Sequence, residues 1–478
     1  MVFSSVTFLW IFLPLALGIN YLLSLIKKHS LKMLLKNISL LVLSLIFYAG
    51  GGLKYVLLMV ASILGNYLIA ILIANCQQKE QPKLKKMWLI LGIIFNLGLL
   101  GFFKYFTFVM RVFKSITGLN FSIMKIILPV GISFFTFQAI SYIVEVYKGK
   151  VECQKNFINL ALYISFFPQL IAGPIVEYSH MKNQIENRQE TVEQFFAGIK
   201  RFLYGLAKKV IISNMLGEVA QTVFAQDLST LDTNTAWLAM LCYCLQIYYD
   251  FSGYSDMAIG LGKMFGFEFP ENFNYPYLAT SITEFWRRWH ISLSTWFKNY
   301  VYIPLGGNRK GIARTCLNLS IVFLLTGIWH GANYTFLVWG AGFAVFMVLE
   351  RLFLGKLLEK NKLKFLNRIY TLLVVMLLFA FFRAGSIAEA FETIKIMFSF
   401  RGGTYPLFQA ISLEQWIILG VGILLCGPVQ KWFGPWWNKV RNKTVSIWVD
   451  YTFQFCLYVV CVNLLLNNSF NPFIYFQF

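Results

Sequence analysis

The chain has 478 residues, 58% of them hydrophobic and only 13% charged, with a mean hydropathy of +0.63 and a formal net charge of +21. An ordinary soluble domain, with about 25% charged residues, is excluded by this balance. The basic residues fall in short loops between apolar runs rather than along one exposed stripe, so the charge reads as a topology signal and not as a nucleic-acid surface.

Apolar runs near the ~20 residues needed to cross a bilayer recur from end to end. They cover Phe8 to Leu25, Leu40 to Tyr48, Tyr55 to Ala74, Trp88 to Phe103, Ile126 to Tyr147 and Phe202 to Phe224. Others run from Ala236 to Met257, Leu317 to Trp329, Phe336 to Leu349, Tyr370 to Phe382, Trp416 to Cys426 and Ile447 to Leu466. The fold class is therefore an all-α polytopic membrane protein with about eleven or twelve spans, taken as one domain over residues 1–478 for want of a long linker or internal repeat. A β-barrel would need ~10-residue segments of alternating polarity, and these runs do not alternate. The first run lacks a small-residue cleavage site and reads as a retained helix rather than a signal peptide.

Lys27 to Lys36, Lys79 to Lys86, Lys148 to Lys155, Lys263 to Arg314, Arg351 to Arg368 and Lys431 to Lys443 carry the basic charge, which places them in the cytoplasm. Ala225 to Thr235 has acids and no Lys or Arg, so it suits the outer side, and the N-terminus is expected outside. The eight cysteines are scattered without metal-ligand or paired spacing and read as reduced and buried. No metal site is expected.

Three stretches depart from simple spans. Tyr163-Ile-Ser-Phe-Phe-Pro168-Gln-Leu-Ile-Ala-Gly173-Pro174 is apolar but broken by proline and glycine, which makes it either a re-entrant segment or a proline-kinked span. Ser281-Ile-Thr-Glu284 is a capping-box pattern that opens an amphipathic helix. At ~100° per residue, Ile282, Phe285, Trp286, Trp289, Leu293, Trp296 and Tyr300 share one face, with His290 at its edge. That helix is expected in the cytoplasmic interface. The ending Asn471-Pro-Phe-Ile-Tyr-Phe-Gln-Phe478 is aromatic and has no charged side chain, the pattern of an interfacial anchor.

Four histidines make up the whole set. His29 sits in a lysine-rich loop and His180 in Glu177-Tyr-Ser-His-Met-Lys, both positions of solvated residues, with a role for His180 left open because it follows the broken segment. His330 lies inside an apolar run with Thr326, Gly327, Asn333 and Tyr334 three or four positions away, the spacing that shares a helix face. Hydrocarbon does not solvate an ionisable side chain, so one in such a run faces a cavity, a partner or a substrate path. A neutral imidazole there can take a hydroxyl's proton during attack on an activated acyl group. The alternative is a structural histidine held by Thr326 or a backbone carbonyl.

Asp250 and Asp256 in Tyr248-Tyr-Asp250-Phe-Ser-Gly-Tyr-Ser-Asp256 fall on different helical faces. The alternatives are a cation- or proton-binding pair, which different faces disfavour as a shared site, and structural hydrogen-bonding groups, the preferred reading, with Ser252 spaced to pair with Asp256. Phosphate-loop, His-Glu-x-x-His and Gly-x-Ser-x-Gly motifs are absent.

Four stretches carry a resemblance: Pro129-Val-Gly-Ile-Ser-Phe-Phe-Thr-Phe-Gln138; Tyr249-Asp-Phe-Ser-Gly-Tyr-Ser-Asp256-Met-Ala; Phe285-Trp-Arg-Arg-Trp-His290-Ile-Ser-Leu-Ser294 running on to Tyr302-Ile-Pro-Leu-Gly-Gly307; and Gly327-Ile-Trp-His330-Gly-Ala. In these the sequence resembles the membrane-bound O-acyltransferase family, in particular its bacterial branch typified by the alginate O-acetyltransferase membrane subunit. The resemblance implies a helical ring around a transmembrane tunnel, with His330 as the intramembrane catalytic histidine and His290 as the second characteristic histidine. It implies transfer of an acyl group, acetyl above all, from a cytoplasmic thioester such as acetyl-CoA or an acyl carrier to an extracytoplasmic hydroxyl. No bound cofactor is implied.

Arg287, Arg288 and Lys298 would then attract an anionic donor, or else snorkel to lipid headgroups. Trp286, Trp289, Trp329, Thr326 and Asn333 would line the tunnel, although interface tryptophans are commonly anchors. The implied partners are an extracytoplasmic acetyltransferase or other acyl-accepting protein, a cell-surface polysaccharide and membrane lipid, in a bacterial inner membrane. Two competing readings are a D-alanyl transfer protein of teichoic acid modification and, from a different class, a transporter or export channel.

Overall fold

The computed structural model describes residues 1–124, 126–405, 407–429, 432, 434–435, 443–467 and 470–474. Most of the basic stretch from Lys431 to Lys443 and the last four residues of the aromatic ending lie outside them. The described chain is helical, with one isolated bridge between Leu231 and Tyr405. By contacts it forms two compact units: Met1–Phe202 with Met257–Pro270, and Leu203–Asp256 with Glu271–Phe478.

In the first unit α1 (Phe8–Leu25), α2 (His29–Ala49), α3 (Leu53–Gln78) and α4 (Pro82–Thr117) are long and apolar enough to cross a membrane, while α5 (Ile132–Tyr147) is apolar but shorter. Asn66 of α3 and Asn96 of α4 exchange side-chain hydrogen bonds at 3.1 and 2.7 Å, the polar glue that joins helices with no hydrophobic drive between them. Lys36, expected among the exposed topology charges, is buried within α2 and paired with Glu190 at 2.6 Å. His29 and His180 are exposed, and His180 contacts the Glu268 carbonyl through Nε2 at 3.0 Å.

The broken segment is not one kinked span. It forms α6 (Phe157–Ser165) and the single turn α7 (Phe167–Leu170), with Phe166 leaving the helical region at ψ 112. Pro168 has no N–H and its ring clashes with the carbonyl four residues back, so a helix cannot run through it. Gln169 Nε2 donates instead to the Tyr163 carbonyl at 2.8 Å. Every residue from Asn159 to Val176 is buried, which is the surrounding that irregular backbone at membrane depth requires. Beyond it come α8 (Tyr178–Asn187) and α9 (Val192–Ala207), the latter passing into the second unit.

The second unit continues with α10 (Asn214–Phe224), most of α11 (Thr233–Met264), α12 (Ile282–Arg288), α13 (Ile291–Phe297), α14 (Gly311–His330) and α15 (Tyr334–Leu349). It is completed by α16 (Gly355–Lys360), α17 (Lys364–Arg383), α18 (Ile387–Phe398), α19 (Leu407–Ala410), α20 (Leu413–Leu425) and α21 (Lys443–Asn467). Four helices here have span character, giving eight among the described residues against the eleven or twelve expected. The differences have local causes. The run from Phe202 to Phe224 is divided by a π-helical turn carrying Lys208 and Lys209, and the run from Trp416 to Cys426 makes a helix of only 13 residues.

α14 and α15 form a close antiparallel pair. A Cβ placed on Gly327 would strike the Phe336 carbonyl, and one on Gly340 would meet the Phe323 carbonyl. The two backbones touch because neither position has a side chain, the small-residue device of membrane helix pairs. Gly327→Val is expected to spread this pair and displace His330 one turn on, with an overpacking cost of about 1–3 kcal/mol. Activity should fall further than the thermal midpoint of the purified protein indicates; full activity at wild-type stability would refute the close-packing argument.

Candidate active site

α14 faces two ways. Leu324, Leu325 and Ile328 are exposed, whereas Phe323, Thr326, Gly327 and His330 are buried on the opposite face, as the helical spacing predicts. The helix ends at His330 and the chain turns extended at Gly331. Asn333 and Tyr334 therefore do not share the His330 face. Asn333 caps α15 by accepting from the Thr335 N–H at 3.2 Å and donates to the Gly385 carbonyl at 3.0 Å, and Tyr334 is half exposed. The Thr326 hydroxyl donates to the Val322 carbonyl at 2.8 Å.

Three aromatic rings wall the His330 imidazole: Trp329 at 4.8 Å, Trp339 at 4.9 Å and Phe382 at 5.1 Å between centroids, each steeply tilted to it. Trp286 packs on Trp339 at 5.8 Å. The indole N–H groups of Trp286 and Trp339 are buried with no hydrogen-bond partner among the described residues. A buried unmet donor costs about 1–3 kcal/mol.

The expected amphipathic helix is two helices. Ser281 accepts from the Glu284 N–H, and the Glu284 carboxylate accepts from the N–H and hydroxyl of Thr280, so the predicted N-terminal signal is real but shifted by one donor. Ile282, Phe285, Trp286, Trp289, Leu293 and Trp296 are buried, so the apolar face was placed correctly. The chain nevertheless breaks after Arg288, and His290 sits in the left-handed region at φ 44, ψ 55. Its ring lies 4.6 Å from Phe251 and 6.0 Å from Trp329. Trp329 thus stands beside both histidines. Burial pushes the His290 imidazole down from its ordinary 6.5 to about 3, keeping it neutral. Trp289 is packed among Phe273, Phe285 and Phe379 and belongs to the core.

The basic residues divide. Arg288 is tied to Glu284 at 2.8 Å and to the Asn274 carbonyl at 3.1 Å, and exposed Lys298 opens a π-helical turn. Arg287 lines a cavity of about 560 Å³ together with Arg351, Lys364, Asn308 and Tyr302. Buried Glu350 holds one side of this cavity in place. It accepts from the Ile282 N–H at 2.6 Å, the Thr283 N–H at 2.8 Å, the Thr283 hydroxyl at 2.6 Å and the Tyr370 hydroxyl at 3.2 Å. Trp339, Phe382 and Glu350 carried no local signal, since each is an ordinary residue of its helix until the fold brings it across, and Arg351 was marked only as the start of a basic loop.

The two aspartates are ion-paired rather than hydrogen-bonded to Ser252, whose hydroxyl has no partner among the described residues. Asp256 pairs with Lys208 at 2.7 Å, and Asp250 with Lys209 at 2.7 Å, the latter pair almost fully buried. The segment Asn471–Ile474 is not an interfacial anchor. Lys209 also donates to the Pro472 carbonyl, Asp250 accepts from the Ile474 N–H at 2.9 Å, and Asn214 donates to Asn471 at 3.2 Å. Phe473 and Ile474 are buried. Aromatic content marks an interface and a core equally, and the partners lie more than 200 positions away.

A family model described as "MBOAT, membrane-bound O-acyltransferase family" matches residues 154–388, which contain both histidines. The chain is 40% identical to the probable alginate O-acetylase AlgI of Pseudomonas putida, with all of both chains covered. It is 34% identical to the peptidoglycan O-acetyltransferase of Helicobacter pylori over 98% of this chain and 90% of that one. The teichoic acid D-alanyltransferase of Bacillus subtilis is 30% identical over 52% of this chain and 66% of its own. With motifs, helices and full-length relatives in agreement, the chain belongs to the membrane-bound O-acyltransferase family and is a multi-pass O-acyltransferase.

Proposed function

We propose that this chain transfers an acetyl group from a cytoplasmic thioester, such as acetyl-CoA or an acyl carrier, to a hydroxyl on an extracytoplasmic polysaccharide or on a partner acetyltransferase. The observation that carries this reading is His330, an imidazole at the buried end of an apolar helix and walled by three aromatic rings. The imidazole takes the hydroxyl proton as the oxygen attacks the thioester carbonyl. The tetrahedral intermediate then expels the thiolate, which takes the proton from the imidazolium, leaving an ester, a free thiol and a neutral imidazole. The exposed guanidinium groups of Arg287 and Arg351 suit the phosphates of such a donor. The protein acts in a bacterial inner membrane with its N-terminus outside.

Acetyl transfer is favoured over D-alanyl transfer because both acetyltransferase relatives align over nearly the whole chain, and the D-alanyl relative over about half. The test is ester analysis of surface polymers in the source bacterium with and without this chain. Loss of acetyl esters, restored by complementation, is the expected result. Intact acetyl esters with missing D-alanyl esters would transfer the assignment to teichoic acid, and intact esters of both kinds would end it.

A further inference from the structure

Asn272 grips the chain at His290, the point where it leaves the helical region. The Asn272 carbonyl accepts from the Ile291 N–H at 2.9 Å. Its side-chain Oδ1 accepts from the Ser292 N–H at 3.1 Å and the Ser292 hydroxyl at 2.9 Å, and lies 3.2 Å from His290 Nδ1. Asn272 is itself buried, with 1% of its surface exposed. A left-handed conformation at a residue with a bulky side chain costs about 1–3 kcal/mol and persists where its surroundings dictate it. Here the dictation comes from three hydrogen bonds to Asn272, two of them from backbone N–H groups, on the two residues that follow His290.

The same contacts settle a proton. A backbone N–H is a donor only, so the Asn272 atom facing Ser292 is the oxygen and not the amide nitrogen. That oxygen has no proton to give, so the proton of its contact with His290 sits on Nδ1. Among the described residues, the side chains seen against the ring are Phe251 from α11, Trp329 from α14, Asn272 and Ser292, all of them uncharged. A neutral imidazole with its proton on Nδ1 presents an acceptor at Nε2.

We propose that Asn272 is a positioning residue that fixes His290 as the Nδ1–H tautomer, so that His290 meets the substrates through Nε2 as an acceptor of a hydroxyl or amide proton and not as a donor to a developing oxyanion. The role in turnover rests on the acyltransfer reading above; the tautomer does not. In that role Nε2 orients the incoming hydroxyl or the amide of the thioester's arm, while His330 takes the proton.

The experiment is 15N spectroscopy of the purified full chain with labelled histidine, four imidazoles of two ring nitrogens each, with His290→Gln assigning the pair of interest. A protonated-type Nδ1 and an unprotonated-type Nε2 at neutral pH are expected; the reverse assignment in the wild type overturns the proposal without touching the acyltransfer reading. Asn272→Leu removes the acceptor and should release the fixed tautomer and lower kcat about tenfold or more, with the KM for donor changed little. Asn272→Asp keeps the acceptor but adds a charge, which favours the imidazolium, so it should keep the Nδ1 proton and move the acid limb of the pH–rate profile upward. Should Asn272→Leu fail to fold, the wild-type spectrum and the pH profile of Asn272→Asp still decide the matter. An unchanged spectrum and unchanged kcat in Asn272→Leu would refute the positioning role.

Discussion

Replacing His330 with alanine is expected to remove acyl transfer while leaving the protein in the membrane at its normal level. General-base catalysis is worth about 10²–10⁴ in rate, and no second ionisable group is buried on α14 to substitute, since Thr315, Asn318, Phe323, Thr326, Gly327 and Trp329 are its other buried residues. His330→Gln keeps a polar group of similar reach but cannot take a proton at neutral pH, so it should be as inactive. The measurement is transfer of labelled acetyl by membranes or purified protein, normalised to the amount of folded enzyme. The close aromatic packing sets a control: Phe382→Leu leaves the imidazole in place, so it should slow transfer far less. Full turnover by His330→Gln would show that the ring only packs among Trp329, Trp339 and Phe382, and the proposed proton path would have to be abandoned.

The Lys209–Asp250 pair is expected to give the largest loss of stability of any polar substitution away from the histidines. Its side chains are 3% and 1% exposed, and removing one member of such a pair strands a buried charge at a cost of about 3–5 kcal/mol. That is a large part of the ~5–15 kcal/mol by which a folded domain survives. Asp250→Asn and Lys209→Met should each lower the thermal midpoint in detergent sharply, followed by size-exclusion profile. The double variant Lys209→Met/Asp250→Leu should recover part of the loss, because no charge is left stranded. Recovery should stay incomplete, since Asp250 also accepts from the Ile474 N–H and Lys209 also donates to the Pro472 carbonyl. Single-variant midpoints equal to wild type would mean that the pair is dispensable.

The contrast between the two histidines shows how far the sequence carries. His330 could be found because an ionisable residue in hydrocarbon is costly wherever the rest of the chain lies. Its buried neighbours on the N-terminal side, Thr326 and Gly327, followed from helical spacing, and Asn333 and Tyr334 failed because the helix stops at His330 without a proline to mark the end. His290 was placed at the right edge of the right face but on a continuous helix. No glycine or proline announces the break there, and the force that makes it, Asn272, reaches across 18 positions. Long-range polar contacts of this kind leave no periodic trace. The same blindness hid Lys209 from Asp250 and led the acidic pair to be read against a nearby serine, and it let a buried terminal segment pass for a surface anchor. Burial pattern and cost are local properties of a sequence; the identity of a distant partner is not.

The seating of residues 471–474 also sets an order of assembly. Asp250 waits 224 positions for the backbone N–H that it accepts, and Lys209 waits 263 for its carbonyl. Synthesis at about 5–20 residues per second holds the nascent second unit unlatched for roughly ten seconds or more after its two charges emerge. Residues 471–474 therefore close onto Lys209, Asn214 and Asp250 only after more than 200 intervening residues have been made.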